Sequence, residues 1–267
     1  MVRLEGITKI FNEGTPDENL AIASVDLEVW RGDFITVIGS NGAGKTTLFN
    51  LIAGTVFPTA GRVLLDDTDI SKVPEYKRAR SIGRIFQDPL LGTASNMTLE
   101  DNMMICLKKG FKGLRISLTN RTREFFREQL KDLDMGLEHR LKENVRRFSG
   151  GQRQALTLLM MVLSEPELIL LDEHTAALDP KNAALVLELT EEYIRRYNLT
   201  AMMVTHNMGH AIEYGNRLIM MDRGEIILDI RGEEKKTMTI DRLVEKFHQA
   251  SRRELESDEV RLSSYRG

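Results

Sequence analysis

Three stretches of this sequence combine residue types that suit phosphate chemistry. GSNGAGKT, Gly39 to Thr46, follows the pattern G-x-x-x-x-G-K-[ST] between an apolar run and an expected helix. Its glycines let backbone N–H groups wrap phosphates, Lys45 reaches the β and γ phosphates, and the Thr46 hydroxyl ligates Mg²⁺. The phosphate site is read as Gly39, Ser40, Asn41, Gly42, Ala43, Gly44, Lys45, Thr46 and Thr47. LILLDE, residues 168–173, is an apolar strand that delivers two carboxylates at its C-terminal end, the edge where open α/β sheets place ligands. Asp172 suits Mg²⁺, directly or through water, and Glu173 suits an attacking water, as general base or orienter. His206 closes the strand AMMVTH at the same expected edge. There it is either a hydrogen-bonded structural residue or a contact for the γ-phosphate or the water. Gln87, after RIF and before DP, either binds Mg²⁺ or water and senses the γ-phosphate, or simply ends a strand.

The third stretch, RRFSGGQRQALTLLMM over residues 146–161, starts like a helix built to hold an anion. Ser149 caps it and Gln152 completes a capping box. Gly150 and Gly151 allow close approach by a ligand. Free N–H groups and the positive dipole end make such a terminus a second phosphate site, distant in sequence from the first.

These residues need a scaffold. FITVIG, LILL and TAMMVTH read as strands buried on both faces, with helices from about Thr46 to Ala53 and from near Pro180. The first 30 residues read as short alternating strands with a turn at NEGTPDEN, and GRVLLDDTDI as a further strand pair. From about Asp88 to Leu163 the character is helical, clearest in TNRTREFFREQLKDL with Thr119 as its cap. Strand–helix alternation around a parallel sheet, with a helical insertion, is the expected α/β architecture. Apolar residues at 240, 243, 244 and 247 form a helical stripe that packs on its own domain, and the last ten or so residues are polar and frayed.

The 267 residues carry a net charge of −3, which gives no reason to expect nucleic acid as a partner. A lone Cys106 excludes an internal disulfide framework. The N-terminus lacks a signal-peptide layout, and the longest apolar stretches fall short of the ~20 residues a membrane helix needs. A membrane role is therefore expected to be peripheral.

Together the motifs resemble the ATP-binding-cassette ATPases over roughly residues 1–230. The phosphate loop is Gly39–Thr46, the glutamine loop centres on Gln87, and the signature is Ser149, Gly150, Gly151 and Gln152. Asp172 and Glu173 end the acidic strand, Asp179 lies in the loop AALD, and His206 is the switch histidine. Phe11 stands where the family places an adenine-stacking tyrosine. The resemblance implies a P-loop NTPase core over 1–88 and 164–230 with a mixed, mainly parallel sheet and an N-terminal antiparallel β region. It also implies a helical signature subdomain over 89–163, followed by a C-terminal extension over 231–267. The ligands implied are ATP and Mg²⁺, with Lys45, Gln87, Glu173 and His206 serving hydrolysis. In the family, the signature of one copy binds ATP held by another copy's phosphate loop, so two copies pack head to tail.

The resemblance further implies the ATPase subunit of a transporter, an importer rather than an exporter, with weak likeness to amino-acid uptake systems. Its partners would be a second copy or a homologous subunit, transmembrane permease subunits, and an extracytoplasmic substrate-binding protein acting through the permease. It would sit peripherally on the cytoplasmic face of the inner membrane. DPLLGTASNMTLEDNMMI, after Gln87, resembles the part of importer ATPases that receives a permease helix; its Met and Leu residues serve docking or the subdomain core, at different positions. Two departures stand out. Phe148 replaces a leucine before the signature serine, and His174 replaces the proline after Glu173, where it either adds a polar group or shapes the turn. The alternative is a soluble cassette ATPase of an assembly or scaffold system, of iron–sulfur type. Against a repair protein with a coiled-coil insertion, Ser149 follows Gln87 by only about sixty residues. Glu173 and His206 argue against a purely regulatory nucleotide-binding module.

Overall fold

Polar and apolar residues alternate through β1 (Val2–Phe11) and β2 (Asn19–Val29), which pair antiparallel from Val2–Val29 to Phe11–Asn19. These are ten- and eleven-residue strands, longer than the short ones expected from sequence. Register shifts, including one after Leu4, let them stay paired past irregular points. The computed structural model describes residues 1–107 and 118–250. Within it the chain forms two compact units, residues 1–73 with the segment from 202 onward, and residues 74–201. The polar C-terminal tail and part of the helical stretch lie outside the described residues.

In the first unit, β3 (Phe34–Gly39) leads into α1 (Lys45–Ala53), followed by β4 (Ala60–Leu65) and β5 (Thr68–Asp69). One sheet has the order β2-β1-β4-β5 and is antiparallel throughout. The strand pair expected in GRVLLDDTDI is thus β4 and β5.

The second unit opens with the one-turn α2 (Glu75–Arg78). It continues through β6 (Ile82–Ile85), α3 (Leu99–Leu107), α4 (Asn120–Lys131), α5 (Gly150–Leu163), β7 (Leu168–Asp172) and α6 (Pro180–Arg196). β6 and β7 run parallel in the register Ile82–Leu168 to Ile85–Leu171. Every residue of β7 is buried, as a strand covered on both faces requires. Thr119 caps α4 through its side chain, which accepts from the Thr122 N–H. α6 starts on Asp179, with Pro180 in the first turn where its missing N–H costs nothing.

The chain then returns to the first unit through β8 (Ala201–Val204), α7 (Met208–Glu213), β9 (Arg217–Asp222), β10 (Glu225–Arg231) and α8 (Gly232–Lys236). There the strand order is β10-β9-β3-β8, with β3 and β9 parallel and β9 and β10 antiparallel. β8 is buried throughout, and β3 and β9 are buried up to their last residues. Residues 240–250 form a final helix. Its Leu243 and Phe247 pack on Ile38, Leu218, Met220 and Ile230, whereas Ile240, counted in the expected stripe, is exposed. Among the described residues no helix is long and apolar enough to cross a membrane.

Candidate functional site

In the first unit, β3 ends at Gly39 with φ +152°, and a Cβ there would stand 2.2 Å from the Met221 carbonyl oxygen. Only glycine lets the loop leave the sheet so close to β9. α1 follows its N-cap Gly44, φ +98°, which has no side chain to cap the helix. A Cβ on Gly44 would meet the Ala21 carbonyl oxygen at 2.7 Å and Ile22 Cδ1 at 2.9 Å. The Lys45 side chain is buried and curls over its own loop, donating from Nζ to the carbonyls of Gly39 (2.8 Å) and Ser40 (2.9 Å). A phosphate can replace those carbonyls as acceptor for the same cation. Thr46, one residue on, is exposed.

The turn joining β9 to β10 braces this loop. Ser40 Oγ donates to Asp222 Oδ1 at 3.1 Å, and the Gly224 N–H donates to the Ala43 carbonyl at 3.1 Å. Sequence reading missed Asp222 and Gly224; their only signal was Arg-Gly between two apolar runs, which marks a turn but not what it supports. Phe11, at the end of β1, carries the Lys9 ammonium 5.0 Å from its ring centroid. Beyond β8, the Thr205 N–H donates to the Val37 carbonyl, and Asn207 caps α7 by accepting from the His210 N–H. His206 is the exposed residue between these two anchors.

In the second unit, α5 starts with the complete capping box: Ser149 Oγ accepts from the Gln152 N–H at 3.2 Å, and Gln152 Oε1 accepts from the Ser149 N–H at 3.1 Å. A hydroxyl that accepts still has its own proton to give. Ser149 O–H and the Gly150 and Gly151 N–H groups thus remain donors for an anion at this terminus. A Cβ on Gly151 would meet Asn182 Cγ at 2.6 Å, and Asn182 donates through N and Nδ2 to Asp179. The signature glycine therefore packs against the start of α6. Asp179 is exposed, and the Asn182 hydrogen bonds hold its carboxyl below the usual aspartate range.

Asp172 closes β7, buried, with Oδ2 accepting from Arg84 Nη2 at 2.7 Å. Glu173 follows in the left-handed region, φ +48°, which costs a non-glycine residue on the order of 1–2 kcal/mol. This backbone turns the chain sharply off the strand, and the Ala176 N–H closes the turn on the Glu173 carbonyl at 2.9 Å. His174 is buried. Thr190 Oγ1 spends its proton on the Val186 carbonyl at 2.7 Å, so it accepts from His174 Nε2 at 3.1 Å, which places the imidazole proton on Nε2. Burial lowers the His174 pKa from 6.5 to about 4, so the ring is neutral. Its bond ties the turn after Glu173 to α6. Gln87 is exposed just past β6, and the preceding Phe86 carbonyl accepts from buried Gln154 Nε2 on α5 at 3.2 Å.

Residues 22–176 match the family model described as ABC transporter, which covers more than half of the chain. The chain belongs to the ABC transporter ATPase family. The cassette is 41% identical over 251 residues to the tyrosine transport ATP-binding protein of Clostridioides difficile, covering 94% of this chain and all of that relative. It is 31% identical over 247 residues to the methionine import ATP-binding protein MetN 2 of Bacillus anthracis, covering 90% of this chain and 70% of the relative. Among solved structures it superposes on a dimeric ATP-binding cassette in a post-hydrolysis state bound to ADP and Pi. That match has a TM-score of 0.72 and 26% identity, covering 86% of this chain and 98% of that one.

The family implies Mg²⁺, and the donor chemistry of the cassette fits it. Among the described residues no three His, Cys, Asp or Glu side chains gather as an all-protein cage. Mg²⁺ does not ask for one, because it takes one or two carboxylates with phosphate oxygens and water. Asp172 and the Thr46 hydroxyl are hard oxygen donors of the required kind.

Proposed function

We propose that this cassette ATPase is the energy-supplying subunit of an importer for amino acids, working through separate permease subunits. Two copies would bind head to tail, each ATP held by one copy's phosphate loop and completed by the other's α5 terminus. The observation that carries this reading is the donor set kept at the N-terminus of α5 in a chain that already has a phosphate-loop pattern ahead of α1. α1 begins without a side-chain cap, and α5 keeps Ser149 O–H and two glycine N–H groups in hand behind its capping box. Two anion sites per chain fit a nucleotide shared between chains, since ATP then favours the closed pair by its differential affinity for it. The amino-acid class is supported by the likeness to a tyrosine transport protein, and the import direction by the likeness to a methionine import protein.

In this reading Lys45 neutralises the β and γ phosphates, and the loop N–H groups hold them. Thr46 and Asp172, with Gln87, would hold Mg²⁺, which supplies charge neutralisation for the leaving phosphate. Glu173 accepts a proton from the attacking water or orients it, and His206 contacts the γ-phosphate. Phe11 offers a stacking face to adenine.

The segment after Gln87 divides as a docking surface must. Leu99, Met103 and Met104 are buried in their own unit, while Leu90, Leu91, Met97 and Ile105 are exposed. The exposed four form the apolar surface for the permease, and the peripheral membrane location follows from that contact. The deciding experiment mixes a Lys45→Ala copy with a Ser149→Arg copy. Each alone should be inactive, and the mixture should regain up to about a quarter to a half of normal turnover by forming one composite centre. A mixture as inactive as its parts would overturn the shared-nucleotide reading.

A further inference from the structure

β6 carries a guanidinium where a strand packed on both sides calls for an aliphatic side chain. Its neighbours Ile82, Gly83 and Ile85 are buried, and the Arg84 side chain is itself only 10% exposed. Burying a charge in such a place is costly unless a partner compensates it. The parallel register supplies that partner. Arg84 lies opposite Leu170, and Leu170 and Asp172, two residues apart on β7, share a face. The long Arg84 side chain runs forward along that face. Phe86, two residues on and just past the end of the strand, has its ring centroid 4.8 Å from the guanidinium carbon. The ring steers the guanidinium to the level of Asp172, where Nη2 meets Oδ2 at 2.7 Å. The Asp172 side chain is 11% exposed, so bulk water screens this pair little.

We infer that Arg84 is the positioning residue of Asp172: it fixes Oδ2 and leaves Oδ1, outside the ion pair, as the oxygen for Mg²⁺. This rests on the reading of Asp172 as the Mg²⁺ carboxylate. Two effects oppose each other. The Arg84 charge reduces the pull of Asp172 on a cation, whereas its hydrogen bond fixes the carboxylate plane. Orientation wins, because Mg²⁺ demands near-ideal octahedral geometry, and losing such an outer partner costs about 10–100-fold in metal affinity. Without Arg84 the carboxylate would also be an uncompensated buried charge beside Glu173, with no reason to hold one rotamer.

The test measures binding of a fluorescent, non-hydrolysable ATP analogue to the intact chain, without Mg²⁺ and then along a Mg²⁺ titration. Arg84→Met should leave the Mg²⁺-free affinity within about twofold and raise the Mg²⁺ midpoint about tenfold or more. Arg84→Lys keeps the counter-charge but gives up the planar fork and the stack on Phe86, and should fall between. A midpoint in Arg84→Met that is unchanged or lower overturns the inference. Should Arg84→Met fail to fold, the lysine variant decides, and an unchanged midpoint there overturns it. Asp172→Asn separates the two levels. If that variant shifts the midpoint and the Arg84 variants do not, Arg84 alone is misassigned. If Asp172→Asn also leaves the midpoint where it was, the reading of Asp172 fails.

Discussion

Gly151 and Asn182 touch so closely that a single added methyl on the glycine would lie 2.6 Å from the Asn182 Cγ. Asn182 in turn is held by Asp179, whose side chain caps α6. The start of the signature helix and the start of α6 are thus wedged together within the second unit. Gly151→Ala should lower the melting temperature, by an overpacking cost of about 1–3 kcal/mol. Adding Asn182→Ala should recover the melting temperature. It should not restore full ATP hydrolysis where, as proposed, this helix terminus also holds a nucleotide phosphate. Recovery of full turnover in the double variant would show that Gly151 serves packing alone.

Lys45 is tied to two carbonyls of its own loop, so its removal acts twice. Lys45→Ala should lose the thermal stabilisation that ATP gives the normal chain, since that shift reports binding to the folded state. It should also lower the nucleotide-free stability by about 1 kcal/mol per lost hydrogen bond. A calorimetric scan with and without ATP separates the two effects, and an undiminished ATP shift would remove Lys45 from the site.

Glu173→Gln keeps the side-chain volume and leaves the φ +48° backbone unchanged while removing the base. Hydrolysis should fall by about 10²–10⁴-fold, and an ATP-bound dimer should accumulate in light scattering. Normal turnover in this variant would assign the water to another residue.

His174 gives the fold a calculable pH dependence. Its folded pKa of about 4 lies below the ordinary 6.5, so between these values the unfolded chain binds more proton. Stability from the neutral ring is complete above about pH 6.5 and is lost as the pH falls through about 4, by about 3 kcal/mol in total. Denaturant titrations at pH 7 and pH 4.5 should show this slope, and His174→Gln should flatten it. An equal slope in the variant would place the titration elsewhere.

The segment after Gln87 offers a contrast between its two faces. Leu91→Ser and Ile105→Ser change exposed positions and should alter stability by less than about 0.5 kcal/mol, while uncoupling transport from ATPase activity in the assembled complex. Leu99→Ala and Met103→Ala, at fully buried positions, should cost about 2–5 kcal/mol and show in the melting curve. Unfolding by the exposed pair would return those residues to the core.

The Asp179 cap and the strands β9 and β10 were not legible in the sequence by itself, which determined the strands FITVIG and LILL, the phosphate-loop pattern, the capping box at Ser149, the Thr119 cap and the acidic end of β7. Each is a local matter: a glycine pattern, a cap three residues from its partner, or an apolar run with a charge at its end fixes conformation over one turn or one strand. The sequence also led us to expect the Met and Leu residues after Gln87 to divide between surface and core, though not which residue went where. What only the tertiary structure decided is pairwise and distant in the chain. Arg84 became the partner of Asp172 through the register of β6 on β7, 88 positions apart, and no local pattern encodes register. Asp222 and Gly224 came to brace the phosphate loop because β9 lies beside β3. His174 found Thr190 because the turn after β7 lets the chain fold back along α6, so that a residue about three turns into the helix comes beside it. Local stereochemistry writes caps and loops into the sequence, while a contact between strands exists only once burial has chosen which strands are neighbours.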